Sequence, residues 1–152
     1  VPSESFDLPE GQPDVLSGSK LDGERKGQGL SKRNQVRFVN SSRKTVLADR
    51  AVCARSIFSR FKGLLGTREL PDGCGLLLDP CNGIHMFWMT YAIDAIFVDR
   101  DYKVVGLVSN IKPWQVSKVF RNARACLELP TGTIEKSSTQ LGDVLNFESL
   151  PD

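Results

Sequence analysis

From Gln35 onward the chain alternates short apolar runs with Asn-, Asp- and Gly-containing turns, whereas residues 1–33 show no usable period. Val36-Arg37-Phe38-Val39 opens a strand, Asn40-Ser41-Ser42 turns the chain, and Thr45–Val52 continues as a second strand. Ile57, Phe58, Phe61, Leu64 and Leu65 then repeat at the spacing of one helical face, with Gly66 as a stop signal. Gly75–Leu78 and Ile84–Met89 read as further strands. The run Ile93–Val98 is the clearest strand, and Asp99-Arg100-Asp101-Tyr102 turns it into Val104–Val108 as a hairpin. Ala123–Leu129 is another strand. Pro130-Thr131-Gly132 leads into a short helical or irregular piece, and Gly142-Asp143 precedes a last strand, Val144–Phe147.

Seven or eight short strands with one amphipathic helix predict an α+β, mainly β domain whose sheet curls into a small, partly closed barrel. Strands and helices do not alternate regularly, which argues against a parallel doubly wound sheet. The pattern places a single globular domain at residues 34–149. Residues 1–33 carry five basic and six acidic side chains among Gly, Ser and Pro. With so little apolar area to offset the entropy of ordering, they are expected to form a disordered arm or linker.

Composition narrows the function classes. The 152 residues are 40% hydrophobic and 25% charged, as in ordinary soluble domains. Twenty Lys and Arg against eighteen Asp and Glu leave a net charge of +2, too little basic excess for a dedicated nucleic-acid binder. No stretch reaches the roughly 18 apolar residues of a membrane span. A soluble chain is expected, with the cytoplasm slightly favoured over export. Cys53, Cys74, Cys81 and Cys126 form no Cys-x-x-Cys pair, so neither a disulfide framework nor a zinc site is expected. Phosphate-loop, nucleophile-elbow and dinucleotide fingerprints are missing from the sequence, and no cofactor is expected.

A few residues stand out against this background. His85 is the sole histidine, so any imidazole chemistry must use it. On an extended strand it would share a face with Cys81, Phe87 and Met89, and a thiol beside an imidazole can become an activated nucleophile. The bland alternative is a hydrogen-bonded structural histidine beside a buried cysteine. Asp94 lies in Ala92-Ile93-Asp94-Ala95-Ile96-Phe97-Val98, apolar on both faces, so its carboxylate must be paired, hydrogen-bonded or protonated. Glu128 poses a milder form of the same problem. Trp88 and Trp114 are the remaining large anchors, and Trp114 opens a stretch with Lys112, Lys118, Arg121 and Arg124. An aromatic and basic loop can clamp an anionic or ring-bearing ligand, or can simply pack over the barrel mouth.

The order Gly63-Leu64-Leu65-Gly66, Gly75-Leu76-Leu77-Leu78, Pro80-Cys81, Ile84-His85 and Met89 resembles the domain of unknown function 192 family. Ile93-Asp94, Phe97-Val98-Asp99, Pro113-Trp114, Leu127-Glu128-Leu129-Pro130, Gly132-Thr133 and Gly142-Asp143 continue that likeness. The Pro-Cys-x-x-Ile-His form resembles one branch of the family. Thr67 departs from the Arg usual after the Gly-Leu-Leu-Gly block, and Met86 from the Thr that often follows the His. The resemblance implies a small β-rich fold and brings no established activity.

These features together predict a ligand-binding module, for an unknown small molecule or protein, with one pocket near His85, Asp94 and Trp114 and with Trp88 and Cys81 close by. A small hydrolase using Cys81 or Asp94 with His85 is the alternative, and a structural or protein-interaction domain the third.

Overall fold

The computed structural model describes residues 35–54 and 69–150. The arm at 1–33 and the helix expected over Ile57–Leu65 lie outside the described residues. Among the described residues seven strands run β1 Gln35–Asn40, β2 Thr45–Ala54, β3 Cys74–Leu78, β4 Ile93–Val98, β5 Val104–Ile111, β6 Ala125–Pro130 and β7 Leu145–Ser149, with a short helix at Thr133–Ser137. They form one sheet in the order β5-β4-β6-β3-β2-β1-β7. Only β2 and β3 pair in parallel; the remaining neighbours are antiparallel. The domain is α+β and mainly β, as the sequence pattern predicts.

Main-chain bonds draw the two edges of the sheet together at one end. Val104 N donates to Asp143 O at 2.8 Å, Gly142 N to Val104 O at 2.9 Å and Leu145 N to Tyr102 O at 2.9 Å, around a bridge between Lys103 and Val144. The sheet therefore curls into a half-barrel, closed by backbone hydrogen bonds at that end and open elsewhere.

The period-2 alternation of each strand sorts its residues between two cores. Val36, Phe38, Leu47, Leu77, Ile96, Val98, Leu127, Leu129 and Phe147 fill the concave interior, with Ile134 of the short helix among them. Leu76, Leu78, Ile93, Ala95, Phe97 and Cys126 occupy the convex face, where Ile84 and Met86 pack on them from a loop. Both faces of β4 and β6 are thus covered, which explains their near-continuous apolar sequences.

The strand expected at Ile84–Met89 is corrected by the structure. His85 makes a single bridge to Val116, and the rest of the segment is loop and turn. The alternation of buried Ile84 and Met86 is real, but it fits a cover lying over the sheet rather than a strand within it.

Candidate aromatic binding surface

Two loops make the cover, residues 80–92 between β3 and β4 and residues 112–124 between β5 and β6. They bind each other antiparallel through their backbones. Phe120 N donates to Asn82 O at 2.8 Å, Ser117 N to Ile84 O at 2.9 Å, and Met86 N to Gln115 O at 2.8 Å. Ile84 and Met86 point into the convex core, so the residues between and after them project outward. Directly opposed residues in such a pair share a side, which puts Val116 beside His85.

Each loop carries a tight turn whose third residue is a tryptophan. Met89 N donates to Met86 O at 3.3 Å with Trp88 at φ 66°, and Gln115 N donates to Lys112 O at 3.1 Å with Trp114 at φ 68°. Pro113 at the second position and a positive φ at the third are the marks of a type II turn, where Gly or Asn is the usual third residue. An L residue with a bulky side chain is strained there by about 1–2 kcal/mol. Two tryptophans held this way are backbone outliers of the kind that cluster at functional sites.

The side chains form one continuous ring cluster. His85 stacks on Phe87 at 4.7 Å between centroids, Phe87 lies 6.0 Å from Trp114, and Trp114 meets Trp88 edge-on at 5.0 Å. Yet Trp88 is 64% exposed, Trp114 58%, Val116 62% and Phe87 41%. Apolar side chains are thus gathered on a water-facing side of the cover. Beside it a groove of about 490 Å³ runs between β5 and the second loop, lined by Leu107, Val108, Asn110, Ile111, Val116 and Phe120. Lys112 and Lys118 are exposed on the loop that carries Trp114 and Val116, and Lys118 Nζ lies 5.0 Å from the Phe120 ring centroid; Arg121 is exposed farther along, in a hollow it shares with Asp99 and Asp101.

The structure separates Asp94 from this surface. Its β6 partner is Leu129, a residue of the concave core, so the carboxylate points into the half-barrel. There Oδ1 accepts the Asn110 amide and Oδ2 the Ile134 amide, each at 2.9 Å. The single pocket shared by His85, Asp94 and Trp114 is therefore corrected. His85, Trp88 and Trp114 come together on the convex side, and Asp94 faces the other way because the loop carrying His85 lies over the sheet instead of entering it as a neighbouring strand. Glu128 is the acid on the convex face, fully buried with Leu76 and Ala95 as its cross-strand neighbours. Cys81 packs against the convex core, with Sγ donating to Gly83 O at 3.2 Å, while His85 sits on the outward side of its loop.

Arg124 anchors the second loop by a 3.1 Å bond from Nε to Asp79 Oδ1, and the Asp79 side chain is only 6% exposed. No group of three His, Cys, Asp or Glu side chains converges into a metal-ligand set among the described residues. Phe87 and Val116 are the surface residues that the sequence pattern passed over as binding candidates. Consecutive Phe87-Trp88 directly after Met86 could have marked them, because no strand alternation buries two adjacent aromatic residues on one face.

The model of the DUF192 family, described as an uncharacterized ACR, matches residues 38–147. A UPF0127 protein of Thermococcus sibiricus is 30% identical over 115 residues, covering 73% of this chain and 74% of that protein. A second UPF0127 protein, from Pyrococcus horikoshii, is 36% identical over 64 residues, 42% of this chain and 55% of its own length. A crystal structure from Sinorhizobium meliloti, provisionally described as a transcription regulator, superposes with a TM-score of 0.63 at 21% identity, over 76% of this chain and 94% of that one. A protein of unknown function from Novosphingobium aromaticivorans gives a TM-score of 0.59 at 23% identity, over 74% and 83%. At these identities the two crystal structures show the fold alone.

Proposed function

The chain belongs to the DUF192 family, which supplies a fold and no activity, and on that premise we propose that the domain is a binding module whose contact surface is the aromatic shelf of His85, Phe87, Trp88 and Trp114. The observation that carries this reading is the pair of exposed tryptophans held in left-handed backbone conformations. Exposure removes most of the burial energy that would repay the strain, so folding alone gives little reason to keep them. A flat ring or an apolar partner laid on the shelf would gain that energy on binding. The groove along β5 extends the contact, and the nearby Lys112 and Lys118 favour a partner carrying negative charge.

Trp88 and Trp114 are the only tryptophans in the chain, so intrinsic fluorescence reports the shelf alone. A thermal-shift screen of ring-bearing and anionic compounds, followed by tryptophan emission, tests the proposal. A ligand that raises the melting temperature and changes the emission supports it, because binding to the folded state stabilises by mass action. Ligands that stabilise the wild type and the Trp88→Asn/Trp114→Asn double variant equally would place the contact surface elsewhere.

A further inference from the structure

Resting on the reading that the shelf is the contact surface, we propose that its partner is a bilayer surface rich in anionic headgroups, which the two loops touch from the side. Five of the eight large hydrophobic residues exposed among the described residues (Phe87, Trp88, Trp114, Val116 and Val119) lie on these loops. Trp88 and Trp114 have the side chain that concentrates at the membrane–water boundary, with an apolar body and one polar N–H. Val116 and Val119 add aliphatic surface, which gains nothing from stacking on a ring or a nucleic-acid base and gains by burial among acyl chains.

The charge pattern points the same way. Residues 80–93 contain no Asp, Glu, Lys or Arg, and residues 112–124 contain Lys112, Lys118, Arg121 and Arg124 with no acidic residue. Arg124 is held by Asp79 and Arg121 shares a hollow with Asp99 and Asp101, whereas Lys112 and Lys118 are exposed on the loop of Trp114. Lys118 holds its ammonium over the Phe120 ring, 5.0 Å from the centroid, and the residue is exposed, which leaves that charge at the surface within reach of a headgroup phosphate. A ring cluster with Lys112 and Lys118 exposed on one of its two loops, and with no acidic residue on either loop, therefore sits on a chain whose net charge is only +2. No helix among the described residues is long and apolar enough to cross a membrane, and the contact proposed here is peripheral.

The test uses the full chain with two kinds of vesicle, pure phosphatidylcholine and phosphatidylcholine mixed with phosphatidylglycerol. Co-sedimentation with the mixed vesicles, accompanied by a blue shift of tryptophan emission and reversed by added salt, is the expected result. Trp88→Asn/Trp114→Asn should weaken sedimentation by on the order of tenfold or more. Lys112→Gln and Lys118→Gln should each weaken it about fivefold. An unchanged melting temperature in each variant shows that the fold persists. Failure to sediment with the mixed vesicles, or equal sedimentation with both kinds, overturns the inference; so does displacement from vesicles by free glycerol phosphate, which would make the site one for the soluble headgroup. If vesicles are ignored while a soluble compound still shifts the tryptophan emission, the lipid inference falls and the shelf stands as a contact surface. If neither vesicles nor compounds alter the emission, both readings fall.

Discussion

Asp94 accepts one backbone amide through each carboxylate oxygen, one from the end of β5 and one from the first turn of the short helix. Both donors depend on it, because β5 bulges between the residues paired with Ala95 and Ile93, and helix starts leave their first amides without intrahelical partners. Asp94→Ala should destabilise the domain by about 2–4 kcal/mol in urea titration, since two buried donors lose their acceptor together. Emission changes at the shelf should survive that substitution, as the carboxylate faces the opposite side of the sheet. A loss of shelf binding at full stability would contradict this structural role. The tryptophans should behave in the reverse manner. Trp88→Asn or Trp114→Asn relieves a left-handed strain and gives up an exposed ring contact, so melting temperatures should stay level or rise while binding is lost. A fall comparable to the roughly 3–5 kcal/mol of a core aromatic deletion would show that the rings hold the fold together. The sequence made Asp94 conspicuous as an acid in an apolar strand, but its donors come from residues 16 and 40 positions away, which no local pattern reveals.

The hairpin of β4 and β5 was legible because its turn is written in local chemistry. Asp99 Oδ1 accepts the Asp101 and Lys103 amides, at 2.9 and 3.0 Å, and fixes the reversal. The cover loops were not, because Ile84 and Met86 alternate as a strand would while their partners lie in another loop about 30 residues on. Their packing can be tested at Gly106. A Cβ there would come within 2.4 Å of the Phe120 ring, which stacks on Phe97 at 4.4 Å. Gly106→Ala should push Phe120 and its loop off the convex face, at a cost of about 1–3 kcal/mol, with raised hydrogen exchange at the Phe120 and Ser117 amides. Unchanged exchange would mean the loop holds without that contact.

A second tie joins the β1–β2 turn to the segment before β7. Asp143 accepts from Arg43 Nε at 3.0 Å and from Asn40 Nδ2 at 2.9 Å. These bonds, the Arg43 one foremost, lower its pKa from 3.8 to about 2. A carboxyl depressed on folding contributes stability that is complete above its unfolded value and lost as pH falls through the folded one. Acid titration should therefore show stability falling between about pH 4 and pH 2 more steeply in the wild type than in Asp143→Asn. Equal slopes would show that the Asp143 carboxylate adds nothing to acid stability.

Over the whole molecule, the two faces of the half-barrel are built differently. The concave side is filled by side chains from all seven strands and stoppered by Ile134 of the short helix. Burial, reinforced by the charge of Asp79 and then by Cys53, pushes the Tyr102 hydroxyl above its ordinary pKa, which keeps it neutral inside that core. The convex side carries the loops and the aromatic shelf. A mainly β fold could be read from turn signals and short apolar runs, whereas sheet order and the meeting of the two edges depend on contacts between distant segments.

The pairing of β1 with β7 brings residues 36–40 against residues 145–149, nearly the full length of the domain apart. Of all the pairings in the sheet, this one closes the longest loop. Pairings of such range form late and slowly, because the entropy of closing the loop is lost before the contact is gained. During synthesis β1 emerges early and must wait, with β2 alone beside it, until the final strand has left the ribosome. Its free edge is then an aggregation hazard set by translation time. Nascent chains arrested before Leu145 should expose that edge to proteases and chaperones, and release of the last strand should act as the timer that completes the domain.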